Sequence, residues 1–75
     1  MYDRDAVSAA ANRAADDVTS ALEEISRSEE GARDVANLVV NATLSYLEHP
    51  EWTLDDAIVA SYGEEPATVL TWCAT

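Results

Sequence analysis

The sequence predicts an all-α fold, a small compact four-helix domain with two long antiparallel helices and two short C-terminal helices. Two observations carry this prediction. Apolar residues recur at helical spacing along residues 7–25 and 32–47. Helix-capping and helix-ending residues then divide the chain at residues 26–31, at Pro50 and at Gly63. With 75 residues and no long linker, residues 1–75 are expected to form one helical domain.

The segment 32–47 is the most apolar of the chain and is expected to lie at the centre of the domain. At 100° per residue it carries two apolar stripes, where an ordinary surface helix carries one. The first comprises Val35, Leu38, Val39, Ala42 and Tyr46, and the second comprises Ala36, Val40, Leu44 and Leu47. The helix should therefore be covered from two sides, by the first helix and by the short pair, with Val40, Leu44 and Leu47 mostly buried.

The first helix begins after a capping aspartate, Asp3 or Asp5. Its predicted contact seam is rich in small residues and consists of Val7, Ala11, Ala14, Val18, Ala21 or Leu22, and Ile25. Its outer face, predicted to be solvated, carries Arg13, Asp16, Asp17, Glu23, Glu24 and Arg27 at spacings that allow weak ion pairs.

Residues 26–31 favour a turn, although one continuous long helix is the alternative. Ser26 with Glu29 has the capping-box spacing, and Ser28 is a second candidate cap. The second helix then runs from about Glu29 to Glu48, because Pro50 ends it. Two helices of similar length joined by a short loop form an antiparallel hairpin.

Two short helices are predicted after Pro50. Thr53 and the acids after it are a capping signal for a helix over residues 54–62, which Gly63 closes. Pro66 begins the last helix, since proline is tolerated in a first turn. Trp52 is expected to lie as a wedge between the short and the long pair.

Charge excludes several classes of function. Fifteen acidic residues face four arginines and no lysine, so the net charge is −11. Such a field repels nucleic acid and anionic lipid and attracts basic surfaces. The chain has no signal-peptide pattern and no apolar run that could span a membrane, so a cytoplasmic protein is expected. Adaptation to salt, or solubility alone, is the alternative origin of the acidity.

Residues 55–72 have spacings similar to those of a helix-turn-helix motif. They depart from it at Val59, where the motif has a small residue, and at Glu64, where it has an apolar one. The chain from Glu48 onward contains no lysine or arginine to contact phosphates. Direct nucleic-acid binding is therefore not expected.

The same cation-free segment supplies the candidate site. We predict an acidic partner-binding surface made of Asp16, Asp17, Glu23, Glu24, Glu48, Glu51, Asp55, Asp56, Glu64 and Glu65. These acids could simply complement helix dipoles. Alternatively, they form a carboxylate array that binds a basic protein, in its sharpest form as a DNA mimic that inhibits a nuclease or regulator, as phage anti-restriction and anti-CRISPR proteins do.

No enzymatic activity, metal site or cofactor is expected. Adjacent acids on a helix point about 100° apart and do not chelate together. His49 stands alone and is predicted to stabilise the last carbonyls of the second helix, and Cys73 is predicted to be a small packed residue. The alternative function is a helical dimerisation, assembly or adaptor module, so a homodimer is a further expectation.

Overall fold

The computed structural model describes residues 2–22 and 28–74, which form four helices. These are α1 (Arg4–Ala21), α2 (Glu29–Glu48), α3 (Leu54–Tyr62) and α4 (Pro66–Ala74). The described ranges contain no strand, so the predicted all-α, four-helix fold is confirmed. Several predictions fall on residues 23–27, which lie outside the described ranges. They concern the site acids Glu23 and Glu24, the seam residue Ile25, the capping residue Ser26 and the outer-face residue Arg27.

Local chemistry explains where the helices begin and end. The side chains of Asp3 and Ser28 each accept a hydrogen bond from the backbone N–H three residues later, which caps α1 and α2. Thr53 and Asp56 form a reciprocal capping box at the start of α3. Gly63 ends α3 with φ of 67°, in the left-handed region that glycine adopts without steric cost.

Helices α1 and α2 form the predicted hairpin. The buried residues of α1 are spaced by four and end just beyond the helix: Ala10, Ala14, Val18 and Leu22. They pack with Leu38, Ala42 and Tyr46 of α2 in one core. Leu22 rather than Ala21 is the buried member of the predicted seam, and Val7 is exposed. The small residues at the contact let the two backbones approach closely, at the cost of buried area.

Helices α3 and α4 pack on α2 and complete the same core. Their buried side chains are Leu54, Ala57, Ile58, Val69 and Cys73. A hydrogen bond of 3.2 Å from the Asn41 amide to the Tyr62 hydroxyl fixes α3 against α2. Each of the four helices therefore contributes to a single hydrophobic core.

The second apolar stripe of α2 is largely uncovered, contrary to prediction. Val40 and Leu44 are 56% and 55% exposed, Ala36 is exposed, and Leu47 is half-buried. The reason is the placement of the neighbours. Both α1 and the short pair pack around the half of α2 that carries Leu38 and Ala42, so they flank the first stripe and leave the opposite half to solvent.

No helix in the described part of the chain combines the length and the hydropathy that a membrane crossing requires.

Candidate functional site

Arg13 organises the end of the molecule where the long pair meets α3. Its guanidinium donates hydrogen bonds to the backbone carbonyls of Pro50, at 3.0 Å, and of Trp52. The guanidinium carbon also lies 3.7 Å from the centre of the Tyr46 ring, a cation–π contact. The predicted pair with Asp17 is present at 3.7 Å. Arg13 was predicted to lie on a solvated outer face; its side chain is 40% exposed, but it also reaches across to the loop after α2 and holds that loop in place.

Tyr46 and Asp17 complete this network, which we call the Arg13 clamp. The Tyr46 hydroxyl donates a hydrogen bond of 2.7 Å to the Asp17 carboxylate. Burial raises the pKa of Tyr46 well above its usual range, and the hydrogen bond to Asp17 and its charge raise it further, while Arg13 opposes the shift. Asp17 thus has a structural role, and only part of its carboxylate is free for a partner.

Beside the clamp lies an open groove of about 540 Å³ between the C-terminal half of α1 and the start of α3. Asp17 and Asp55 both line it, together with Ser20 and Thr53. The structure therefore brings together two of the predicted site acids that are far apart in sequence. Arg13 also lines the groove, where its charge is shared with Asp17 and the two carbonyls of the clamp.

Two further site acids have local roles. Asp56 accepts a hydrogen bond of 3.0 Å from the Thr53 backbone N–H in the capping box. Glu51 lies 3.6 Å from the His49 ring, which stacks on Trp52 with centroids 3.9 Å apart and an angle of 11°. The His49 ring, which was predicted to stabilise the helix end, is therefore stacked on the Trp52 ring. The backbone carbonyl of Trp52 accepts the hydrogen bond from Arg13.

The remaining described site acids are exposed. Among the described residues, no cation forms an ion pair with Asp16, Glu48, Asp55, Glu64 or Glu65. Glu64 and Glu65 lie in the turn between α3 and α4, Glu48 ends α2, and Asp16 lies on the outer side of α1. The candidate acids are thus spread around the rim of the domain and do not converge on one point.

The polar side chains in the described part of the chain are not arranged as a metal site. No group of three or more histidine, cysteine or acidic side chains there is placed to hold a metal ion. No buried side-chain nitrogen or oxygen of the described residues lacks a hydrogen-bond partner, so none is left oriented toward a missing ligand. Cys73 is buried, as predicted for a packed residue, and burial, with the nearby Asp34 charge, raises the pKa of its thiol.

Comparison of the chain with protein-family models, with curated proteins and with solved structures found no match. The functional argument rests on the geometry and charge of this chain.

Sequence reasoning missed the Arg13 clamp. The acceptors lie 37 and 39 residues away in the chain, at Pro50 and Trp52, so no local spacing reveals them. One signal was present: Tyr46 falls on the predicted buried stripe, and a buried tyrosine needs a partner for its hydroxyl and often a cation on its ring.

Proposed function

We propose that this protein is a non-enzymatic, cytoplasmic interaction protein whose carboxylates bind a basic protein partner. The acids involved are Glu48, Asp55, Glu64 and Glu65 with Asp16, which are exposed and form no ion pair with another described residue, and Asp17 in the groove; they are distributed over the domain rather than gathered at one point. The sharpest form of the proposal is a DNA mimic that occupies the basic groove of a nuclease or a nucleic-acid-binding regulator.

The observation that carries the proposal is the way the described arginines are used. Arg13 is engaged in the clamp, Arg33 pairs with Glu29 in the first turns of α2, and Arg4 lies at the start of α1. None of these three forms an ion pair with a described acid that follows residue 47. A carboxylate array without neighbouring cations keeps its field and presents it to a partner.

Rigidity supports the same function. The Arg13 clamp ties the loop before α3 to α1 and α2, and the Thr53–Asp56 capping box fixes the first turn of α3. Asp55 lies in that turn. A carboxylate held in place loses less conformational entropy on binding than one on a mobile loop, which favours affinity for a matching cationic surface.

The test compares two triple variants that remove the same charge from different places. The site variant is Asp55→Asn, Glu64→Gln and Glu65→Gln, and it leaves the capping residue Asp56 intact. The control variant is Asp5→Asn, Glu29→Gln and Glu30→Gln, which are exposed acids in the first turns of α1 and α2.

Each protein is immobilised and used to capture partners from a lysate of the source organism at about 50 and about 500 mM salt. A captured protein is then purified and titrated. We expect a basic protein whose affinity falls steeply with salt, since exposed charges are screened over about 10 Å at 0.1 M. The site variant should lose binding at least tenfold, and the control variant less than threefold. Equal losses in both variants, or binding insensitive to salt, contradict the proposal.

The DNA-mimic form makes one additional prediction. Duplex DNA and this protein should compete for one site on the purified partner, so that bound DNA is released as the protein is added. If the partner binds DNA and this protein at the same time, the DNA-mimic form is contradicted, while the broader proposal of a basic partner remains.

A different observation favours the second candidate, a dimerisation or assembly module whose acidity serves solubility. The exposed Val40 and Leu44 form an apolar surface that the described chain does not cover. Self-association through this surface should not weaken with added salt, which separates it from binding of a basic partner.

A further inference from the structure

One face of α2 is apolar and exposed along three turns. Ala36, Val40 and Leu44 are exposed, and Thr43 and Leu47 beside them are half-buried. On a helix these five residues fall within an arc of about 100°, opposite the buried Leu38. We call this set the outer stripe.

The outer stripe is also free of charge. Residues 35–47 contain no acidic or basic residue, although the chain as a whole carries a net charge of −11. Two copies of so acidic a protein repel each other wherever their carboxylates meet. A contact between copies is therefore favoured only where the surface is uncharged, and an uncharged apolar surface of this length is what the outer stripe provides.

We propose that the outer stripe binds the outer stripe of a second copy, with the two α2 helices antiparallel about a two-fold axis near Val40. This inference specifies the surface and register of the self-association described above as the second candidate. It does not depend on a basic partner.

Charge selects the antiparallel orientation. In a parallel pair, Arg33 would lie beside Arg33 of the second copy and Glu48 beside the second Glu48, so like charges would meet at both ends. In the antiparallel pair about Val40, each Arg33 lies level with Leu47 and Glu48 of the other copy, so that Arg33 lies between Glu29 of its own copy and Glu48 of the other and can pair with both. Arg33 is available for this contact, because its ion pair with Glu29 is long, at 3.7 Å, and therefore weak. The Arg33 side chain is also 71% exposed.

Side-chain size fits the same register. With the axis at Val40, the small Ala36 of one copy faces the large Leu44 of the other, and the reverse holds on the far side of the axis. A small residue opposite a large one lets the helices approach without a gap or a clash. The interface is isologous, as in most homodimers.

The size of the stripe sets the strength of the dimer. Residues 36–47 extend about 16 Å along a helix about 10 Å wide. This contact is well below the roughly 800 Å² per partner of a standard stable interface. The dimer is therefore a transient one, populated at high micromolar rather than nanomolar concentration.

The chain contains a matched control. Val59 on α3 is 53% exposed, almost the same as Val40 at 56%, but lies away from the outer stripe. Sedimentation equilibrium is measured up to about 1 mM for the wild type, Val40→Asp, Leu44→Asp and Val59→Asp. We expect Val40→Asp and Leu44→Asp to raise the dimer dissociation constant at least tenfold with unchanged circular dichroism, and Val59→Asp to change it less than twofold. A wild type that stays monomeric at 1 mM, or an equal effect of Val59→Asp, overturns the proposal.

The register is tested in a Cys73→Ser background. Val40→Cys lies at the axis and should form a disulfide-linked dimer under mild oxidation much faster than Val59→Cys.

If the aspartate variants unfold, a charge exchange tests the dimer instead. Arg33→Glu should weaken the dimer, and adding Glu48→Arg should restore it. Equal cross-linking rates, or no restoration, contradict the antiparallel register. Added salt should strengthen the dimer, whereas it weakens the binding of a basic partner, so the two proposals fail independently.

Discussion

Replacing Arg13 with alanine removes the clamp, and we expect this to be among the most destabilising changes at a partly exposed residue of this protein. Two hydrogen bonds to carbonyls are lost, at Pro50 and Trp52, together with the contact on the Tyr46 ring and the pair with Asp17. The hydrogen bonds contribute about 1 kcal/mol each, the cation–π contact about 0.5–1 kcal/mol, and the half-exposed ion pair a few tenths of a kcal/mol.

These contributions come to about 3 kcal/mol, against a free energy of unfolding of about 4–11 kcal/mol for a chain of this length. The midpoint of thermal unfolding should fall by about 12–24 °C. The assay is urea unfolding followed by circular dichroism and by tryptophan fluorescence, which reports on Trp52 and Trp72. Arg4→Ala is the control, since Arg4 is exposed in the first turn of α1. We expect it to change the free energy by less than 0.5 kcal/mol.

Arg13→Lys separates geometry from charge. Lysine keeps the positive charge beside Asp17 but lacks the planar fork that reaches two carbonyls at once. It should therefore recover less than half of the loss. A loss below 0.5 kcal/mol in Arg13→Ala, or full recovery in Arg13→Lys, would refute the view that the fork fixes the loop after α2.

Three further predictions concern single positions. The pKa of Tyr46 is raised by burial and by Asp17, so its contribution to stability is fully present below the unfolded value of about 10 and is lost as the pH rises above it. Tyr46→Phe should flatten the alkaline part of the pH–stability curve measured by urea unfolding, and an unchanged curve would contradict this. Gly63→Ala should cost about 1 kcal/mol, because φ is 67° while an added Cβ meets nothing within 4 Å, and Gly63→Asn should cost less. The Cys73 thiol, buried and with a raised pKa, should react with a thiol reagent at pH 8 at least a hundredfold more slowly than in urea, and a rate close to the unfolded one would show that α4 opens readily.

The helices and their ends could be predicted because the interactions that set them are local. Ser28, Thr53 and Gly63 act within three or four residues of their own positions, so the sequence alone contains the donors, the acceptors and the conformational freedom involved. The buried stripe around Leu38 and Ala42 was also predicted, but together with a second buried stripe that the structure leaves largely exposed.

The prediction that both stripes of α2 are covered was wrong, because the sequence does not show from which directions the neighbouring helices approach. Both stripes have the same period and similar apolar content, and the choice depends on the directions from which α1 and the short pair approach. Those directions depend on contacts between residues far apart, such as the carbonyls that Arg13 binds from another part of the chain. The acidic surface was predictable in composition, but the hydrogen bond that Asp17 accepts from Tyr46 joins residues 29 positions apart, and no local spacing predicts it.

The two proposed surfaces lie on different parts of the chain, and this has a consequence for binding. The acids of the proposed surface follow residue 47 or lie on α1, while the outer stripe occupies the uncharged part of α2. A dimer through the outer stripe would therefore carry two acidic surfaces, and a symmetric basic partner could engage both. The second contact becomes intramolecular and adds avidity without any new interaction.

Leu44→Asp separates the two contributions. It should lower the apparent affinity for a densely immobilised partner by tenfold or more, because the avidity is lost. It should leave the affinity for a dilute monomeric partner domain within twofold, because Leu44 lies on α2, whereas the acids tested for that contact, Asp55, Glu64 and Glu65, lie on α3 and in the turn after it. A similar loss in both formats would mean that Leu44 contacts the partner directly, and the outer stripe would then belong to the partner site and not to a dimer.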